Sequence, residues 1–180
     1  MPFAFSGHWL TSLFLLQDAK NFYVEVEDEN AKRDALCGLK EVIDTGGGNI
    51  VFVSSRIKVD LLFEQMRSMG FRVSCVHDDM EQKLRGEIMV EFRGGRTDFL
   101  ITTHALAIGL EVAQFSLVIN YDLPAMMDLY IHSLGRCGRF GREKIAINFV
   151  TPEDKQTLDL DWSVVCKTHI GAMPAHLSSL

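Results

Sequence analysis

Short apolar runs rich in β-branched residues alternate along this chain with stretches whose apolar residues recur at helical spacing. The runs predict strands over Phe22–Val26, Asn49–Val53, Arg72–His77, Asp98–Thr103, Leu117–Asp122 and Ile145–Val150. Between them, Val59, Leu62, Phe63, Met66 and Met69 fall on one helical face, and Leu36, Leu39 and Ile43 do the same earlier. Gly46-Gly47-Gly48, Gly70 and Gly94-Gly95 punctuate the pattern as loops or helix ends. Strand, helix, strand repeated in this way predicts crossover connections and a mainly parallel sheet covered by helices on both faces. With 180 residues, no internal repeat and no linker-like tract, one domain with one full core is expected.

A parallel sheet places ligands beyond the carboxyl ends of its strands. Polar residues gather there: Ser54-Ser55-Arg56 after one predicted strand, His77-Asp78-Asp79 after another, Thr102-Thr103 at a third and Asp122 at a fourth. Each alone is ordinary turn chemistry. Together they mark a candidate site. Gly46-Gly47-Gly48 is not a nucleotide loop, because it precedes a strand and no Gly-Lys-Ser/Thr follows.

The densest motif runs from Tyr130 to Arg142. Arg136, Arg139 and Arg142 recur every third residue among Gly135, Gly138 and Gly141. Arginine offers a rigid, always-charged fork suited to phosphate oxygens, and glycine allows close approach. A solvated basic turn is the plain alternative. It would favour lysine, asparagine and serine and would need no regular arginine interval. The array therefore points to a polyanion, and phosphoryl transfer often uses such arginines.

Charge restricts where a nucleic acid could bind. The formal charge is −6 and the pI about 5.5, so a polynucleotide site must be a local basic patch. Cys37, Cys75, Cys137 and Cys166 lie far apart without zinc-ligand spacing and read as reduced thiols of an intracellular protein, cytoplasmic or nuclear. The apolar stretch from Trp9 to Leu16 has no basic residue before it and is too short to span a bilayer. Residues 1–14 are expected to be a poorly ordered leader and 15–180 the domain.

From His132 to Arg139 the chain resembles the His-Arg-x-Gly-Arg-x-Gly-Arg signature of the DEAD-box RNA helicases, in their second RecA-like domain. Other segments agree in order. Val51–Arg56 is similar to that domain's first core strand and following loop. His77–Met80, with Gln82 and Arg85, resembles the His-Gly-Asp-Met and Gln-x-x-Arg pair. Leu100–Thr103 through Gly109–Val112 resembles the Thr-Thr-Asp to Arg-Gly-x-Asp-Val segment, and Val118–Pro124 is close to verbatim. Phe22–Glu27 and Met173-Pro174 followed by Leu177 look most like the translation initiation factor 4A branch.

The resemblance implies a RecA-like three-layer α/β/α fold. It implies the C-terminal half of an RNA-dependent ATPase whose two lobes close over ATP, Mg²⁺ and single-stranded RNA. Arg136 and Arg139 would reach the γ-phosphate, with Arg139 as the arginine finger. His132 would couple RNA closure to ATP, Glu111 would stand where an aspartate holds the ribose, and Gly109 would line the ATP site. Ser54, Arg56, Gln82, Arg85 and Thr102 would lie near the RNA backbone, giving weak sequence preference. No Gly-x-x-x-x-Gly-Lys-Ser/Thr loop and no Asp-Glu-Ala-Asp run is present, so a first RecA-like domain must supply the phosphate cradle and the metal carboxylate. Partners implied are RNA, that first domain and a helical-repeat initiation scaffold.

Four positions depart from the pattern. Ser133 and Ile108 replace arginines, His104 replaces an aspartate and Asp78 replaces a glycine. Glu111 adds a methylene to the ribose-holding position. Two lost cations and one gained anion weaken phosphate binding, which keeps open a second reading: a non-catalytic RecA-like module that binds RNA or a protein.

Overall fold

A computed structural model describes residues 19–39, 48–107, 115–135, 144–157 and 170–173. Seven strands form one sheet: β1 (Ala19–Glu25), β2 (Asn49–Val53), β3 (Val73–Cys75), β4 (Phe99–Thr103), β5 (Leu117–Asn120), β6 (Lys144–Val150) and β7 (Ile170–Ala172). Their order is β3-β4-β2-β5-β6-β1-β7, and every pairing is parallel. The helices are α1 (Glu29–Leu39), α2 (Arg56–Ser68), α3 (Gln82–Arg93), α4 (His104–Ala107), α5 (Met127–Leu134) and α6 (Pro152–Thr157).

The strands are nearly continuous apolar runs because both faces are covered. Alternate side chains of β2 feed different cores. Ile50 and Phe52 join Met89 and Phe92 of α3 and Tyr130, Ile131 and Leu134 of α5. Val51 and Val53 join Leu36 and Leu39 of α1 and Val59, Leu62 and Met66 of α2. The α/β/α layering expected from the alternation is therefore the one observed. Burying a side chain of this size contributes roughly 1.5–3 kcal/mol, so these two layers dominate stability.

The helix starts are set locally. Ser55 caps α2, its hydroxyl accepting from the Lys58 amide at 3.3 Å. Gly48 enters β2 with φ +52°, a conformation that disfavours a side chain. The strand predictions hold with shifts of one to three residues at the ends, the largest at β1, which begins at Ala19. β3 is shorter than expected, since only Val73–Cys75 pair with β4. β7 was not predicted; its three residues include a glycine and add to the edge beyond β1.

Candidate functional site

The carboxyl ends of β2, β4 and β5 converge around Asp122. This carboxylate is buried, 6 % exposed, yet it is saturated with donors. Its Oδ1 accepts from Lys32 Nζ at 2.6 Å and Lys58 Nζ at 3.0 Å, and its Oδ2 from the Ser54 amide at 2.9 Å. Glu29 takes the same two lysines, Lys58 at 2.7 Å and Lys32 at 3.3 Å. Burial opposes ionisation of Asp122, but the Lys32, Ser54 and Lys58 donors outweigh it and hold its pKa at about 2. The quartet locks the first turns of α1 and α2 to the end of β5 and fixes the backbone at Ser54.

The residues expected near RNA fall in three places. Ser54 and Arg56 are exposed on the turn that Asp122 pins. Arg56 Nη1 is engaged by Asp79 Oδ1 at 2.6 Å, with both side chains more than half exposed. Gln82 opens α3 and is exposed, while Arg85 is half-buried in the same first turn. Thr102 is fully buried in β4, and its hydroxyl has no protein partner. Beside this rim a cleft of about 480 Å³ is lined by Ser54, Thr103, His104, Pro124, Leu129 and Asp154.

Of the residues expected at ATP, His132 lies in the last turn of α5, half-buried. Arg136, Arg139, Glu111 and Gly109 lie outside the described residues, as do Ile108 and the 1–14 segment. Gly135 directly follows α5, so the helix delivers the chain to the start of the arginine array. Among the described residues no group of three or more His, Cys, Asp or Glu side chains converges as a metal centre.

Two departures from the family pattern have a structural account. Ser133 is buried and its hydroxyl donates to the Tyr130 carbonyl at 2.7 Å, one turn back; it brings no cation to the site. His104 stacks on Phe52 with centroids 4.8 Å apart and lies 3.0 Å from Asn120 Oδ1. Burial pulls its pKa down to about 4 against the Asn120 contact and the Asp122 charge, so the ring is neutral at pH 7. Asp78 is exposed on the turn after β3.

The sequence reading placed Asp122 at the rim but missed its lysines and its role. The available signal was Lys58, two residues beyond Arg56 and one helical turn from the Ser55 cap. It also missed the asparagines of the strands, whose signal was a fully polar side chain within an apolar run.

A parallel sheet with helices on both faces and a polar rim at its carboxyl edge is the architecture of a RecA-like α/β lobe. The sequence profile of the helicase conserved C-terminal domain family matches residues 31–141. A rice relative, eukaryotic initiation factor 4A-III homolog B of Oryza sativa subsp. japonica, is 49 % identical over 165 residues, 92 % of this chain and 40 % of the relative. The C-terminal domain of the DEAD-box protein Dbp5 superposes with TM-score 0.79 at 32 % identity, covering 87 % of this chain and 90 % of that one. Saccharomyces cerevisiae Dbp5 bound to RNA and ADP BeF3 superposes with TM-score 0.79 at 32 % identity, covering 88 % and 42 %. This chain belongs to the helicase C-terminal domain family, as a DEAD-box second RecA-like domain. It spans two fifths of the length of the curated relative it matches. Among the described residues no helix is long and apolar enough to cross a membrane.

Proposed function

We propose that this domain is the RNA-facing second lobe of an ATP-dependent RNA helicase related to initiation factor 4A-III, active only against a first RecA-like domain. The observation that carries this reading is the rim itself. Asp122 takes the Ser54 amide and presents Ser54 and Arg56 outward, beside the Gln82–Arg85 turn. Backbone-directed donors on a rigid sheet edge suit a phosphodiester chain and carry no base code. ATP and Mg²⁺ would be shared: Arg136, Arg139, His132, Glu111 and Gly109 from this lobe, with phosphate cradle and metal carboxylate from the other. RNA remodelling in a setting like translation initiation, with a helical-repeat scaffold as protein partner, follows from the same kinship.

A second reading is favoured by Ser133, which is buried and uncharged, and by Asp79, which already occupies Arg56. Both reduce the cationic character of the site and suit a binding module without turnover. Adding a separate first RecA-like domain, ATP, Mg²⁺ and single-stranded RNA and measuring phosphate release separates the two. Turnover that falls by 10³-fold or more on Arg139→Ala is expected for the catalytic half, the scale of an arginine finger. RNA binding without turnover establishes the module instead.

A further inference from the structure

One row of polar side chains crosses the α3/α5 face of the sheet and is used by none of the roles above. Phe52 pairs with Asn120, Asn120 with Asn148, and Asn148 with Tyr23, two residues beyond Asn21. Asn120 Nδ2 donates to Asn148 Oδ1 at 2.7 Å, Asn148 Nδ2 to Asn21 Oδ1 at 2.7 Å, and Asn21 Nδ2 to the Tyr130 hydroxyl at 2.9 Å. At the other end His104 Nε2 lies 3.0 Å from Asn120 Oδ1. All five side chains are at most 5 % exposed.

The direction of this row is fixed by one backbone group. Asn148 Nδ2 also donates to the Phe22 carbonyl at 2.8 Å. A carbonyl accepts only, so the amide of Asn148 cannot be turned over. Its Oδ1 must then accept from Asn120 Nδ2, which leaves Asn120 Oδ1 facing His104. An oxygen there requires a donor, so the His104 ring must carry its proton on Nε2. A buried network in which each member dictates the next behaves as a unit.

We propose that His104, Asn120, Asn148, Asn21 and Tyr130 form a one-way hydrogen-bond relay that couples the end of β4 to helix α5, making them positioning residues for the segment α5 delivers. His104, where the family pattern has an aspartate, is the donor that starts it; a carboxylate could not donate to Asn120 Oδ1. Phe52 supplies the stacking surface that holds the ring in place. The link to the arginine array rests on the proposed function. The coupling does not.

Long-range ¹H–¹⁵N correlation spectra of the chain read the His104 tautomer directly. The Nε2–H form is expected, and Asn148→Leu, three strands across the sheet from β4, which His104 directly follows, is expected to shift the His104 ring signals and release the other tautomer. Tyr130→Phe removes only a hydroxyl and keeps the core filled, so it serves if Asn148→Leu fails to fold. The two ends are then compared in a double-mutant cycle of His104→Phe and Tyr130→Phe by urea unfolding. Residues without shared partners add; a relay gives an unfolding constant that departs from additivity by about threefold or more. His104→Gln, which keeps a donor, is expected to restore the coupling. A wild-type Nδ1–H tautomer, or additive effects with unmoved His104 signals, overturns the proposal. Those results would leave the RNA and ATP assignments untouched.

Discussion

His104 and Asp122 sit at the same rim and set two separate pH windows. His104 has a folded-state pKa of about 4 against an ordinary 6.5, because burial penalises the charged ring. The unfolded chain therefore binds the extra proton first, and stability is lost as pH falls from 6.5 to 4. Asp122 is lowered from 3.8 to about 2, so its contribution stands above pH 4 and is lost as pH falls further, toward 2. At 1.36 kcal/mol per pKa unit the windows are worth about 3 and about 2 kcal/mol. Urea unfolding across pH 2–8 is expected to show both. His104→Gln should flatten the upper slope and leave the lower one, and Asp122→Asn should do the reverse. A single slope confined below pH 4 in the wild-type chain would contradict the burial of a neutral His104. Lys32, 4 % exposed, shows why Asp122 cannot simply be deleted: the lysine would stay buried, left with the Glu29 carboxylate at 3.3 Å and the Tyr121 ring at 5.5 Å.

At the level of elements, helix starts are unequal. Ser55 accepts the Lys58 amide and caps α2, whereas Glu81 precedes α3 with no side-chain cap. Ser55→Ala is expected to cost about 1 kcal/mol, and Glu81→Ser to gain about 0.5–1 kcal/mol, both read as shifts in the urea midpoint at constant slope. The same contrast explains what the sequence made legible. β2 and β4 were plain as apolar runs, and α2 as a stripe from Val59 to Met69, because burial on a covered face writes itself into composition. β7 was not legible: Ile170–Ala172 is three residues long, and its pairing depends on β1 already being an edge. The rim was legible only as a set of candidates. Ser54, Arg56 and Asp122 stood at strand ends in the pattern, but whether each faces solvent or a partner is decided by residues far away in sequence. Asp122 meets Lys32 across ninety positions and Arg56 meets Asp79 across twenty-three, and no local spacing encodes either.

For the whole molecule, the proposed RNA ligand has to be reconciled with an excess of six negative charges. The proposed reading places the candidate cations on one edge: Arg56 at the start of α2 and Arg85 on the first turn of α3. Two phosphate contacts to a single strand give a slope of log K against log salt of about −1.4, at roughly −0.7 per contact. The overall negative charge acts in the opposite sense, since salt screens its repulsion, so the observed slope is expected to be no steeper than this. Arg56→Ala and Arg85→Ala should each remove about 0.7 from the slope, with uniform loss across homopolymer sequences. Asp79→Asn makes the sharper test. It frees Arg56 from a 2.6 Å ion pair without adding a contact. An exposed pair is worth about 0–1 kcal/mol, so affinity should rise by up to about fivefold while the slope stays that of the parent chain. Fluorescence anisotropy with labelled poly-U from 50 to 300 mM salt measures both quantities. A gain in affinity with an unchanged slope would identify Asp79 as an internal competitor for the phosphate, and an Arg56→Ala chain with the parent's slope and affinity would remove Arg56 from the RNA edge altogether.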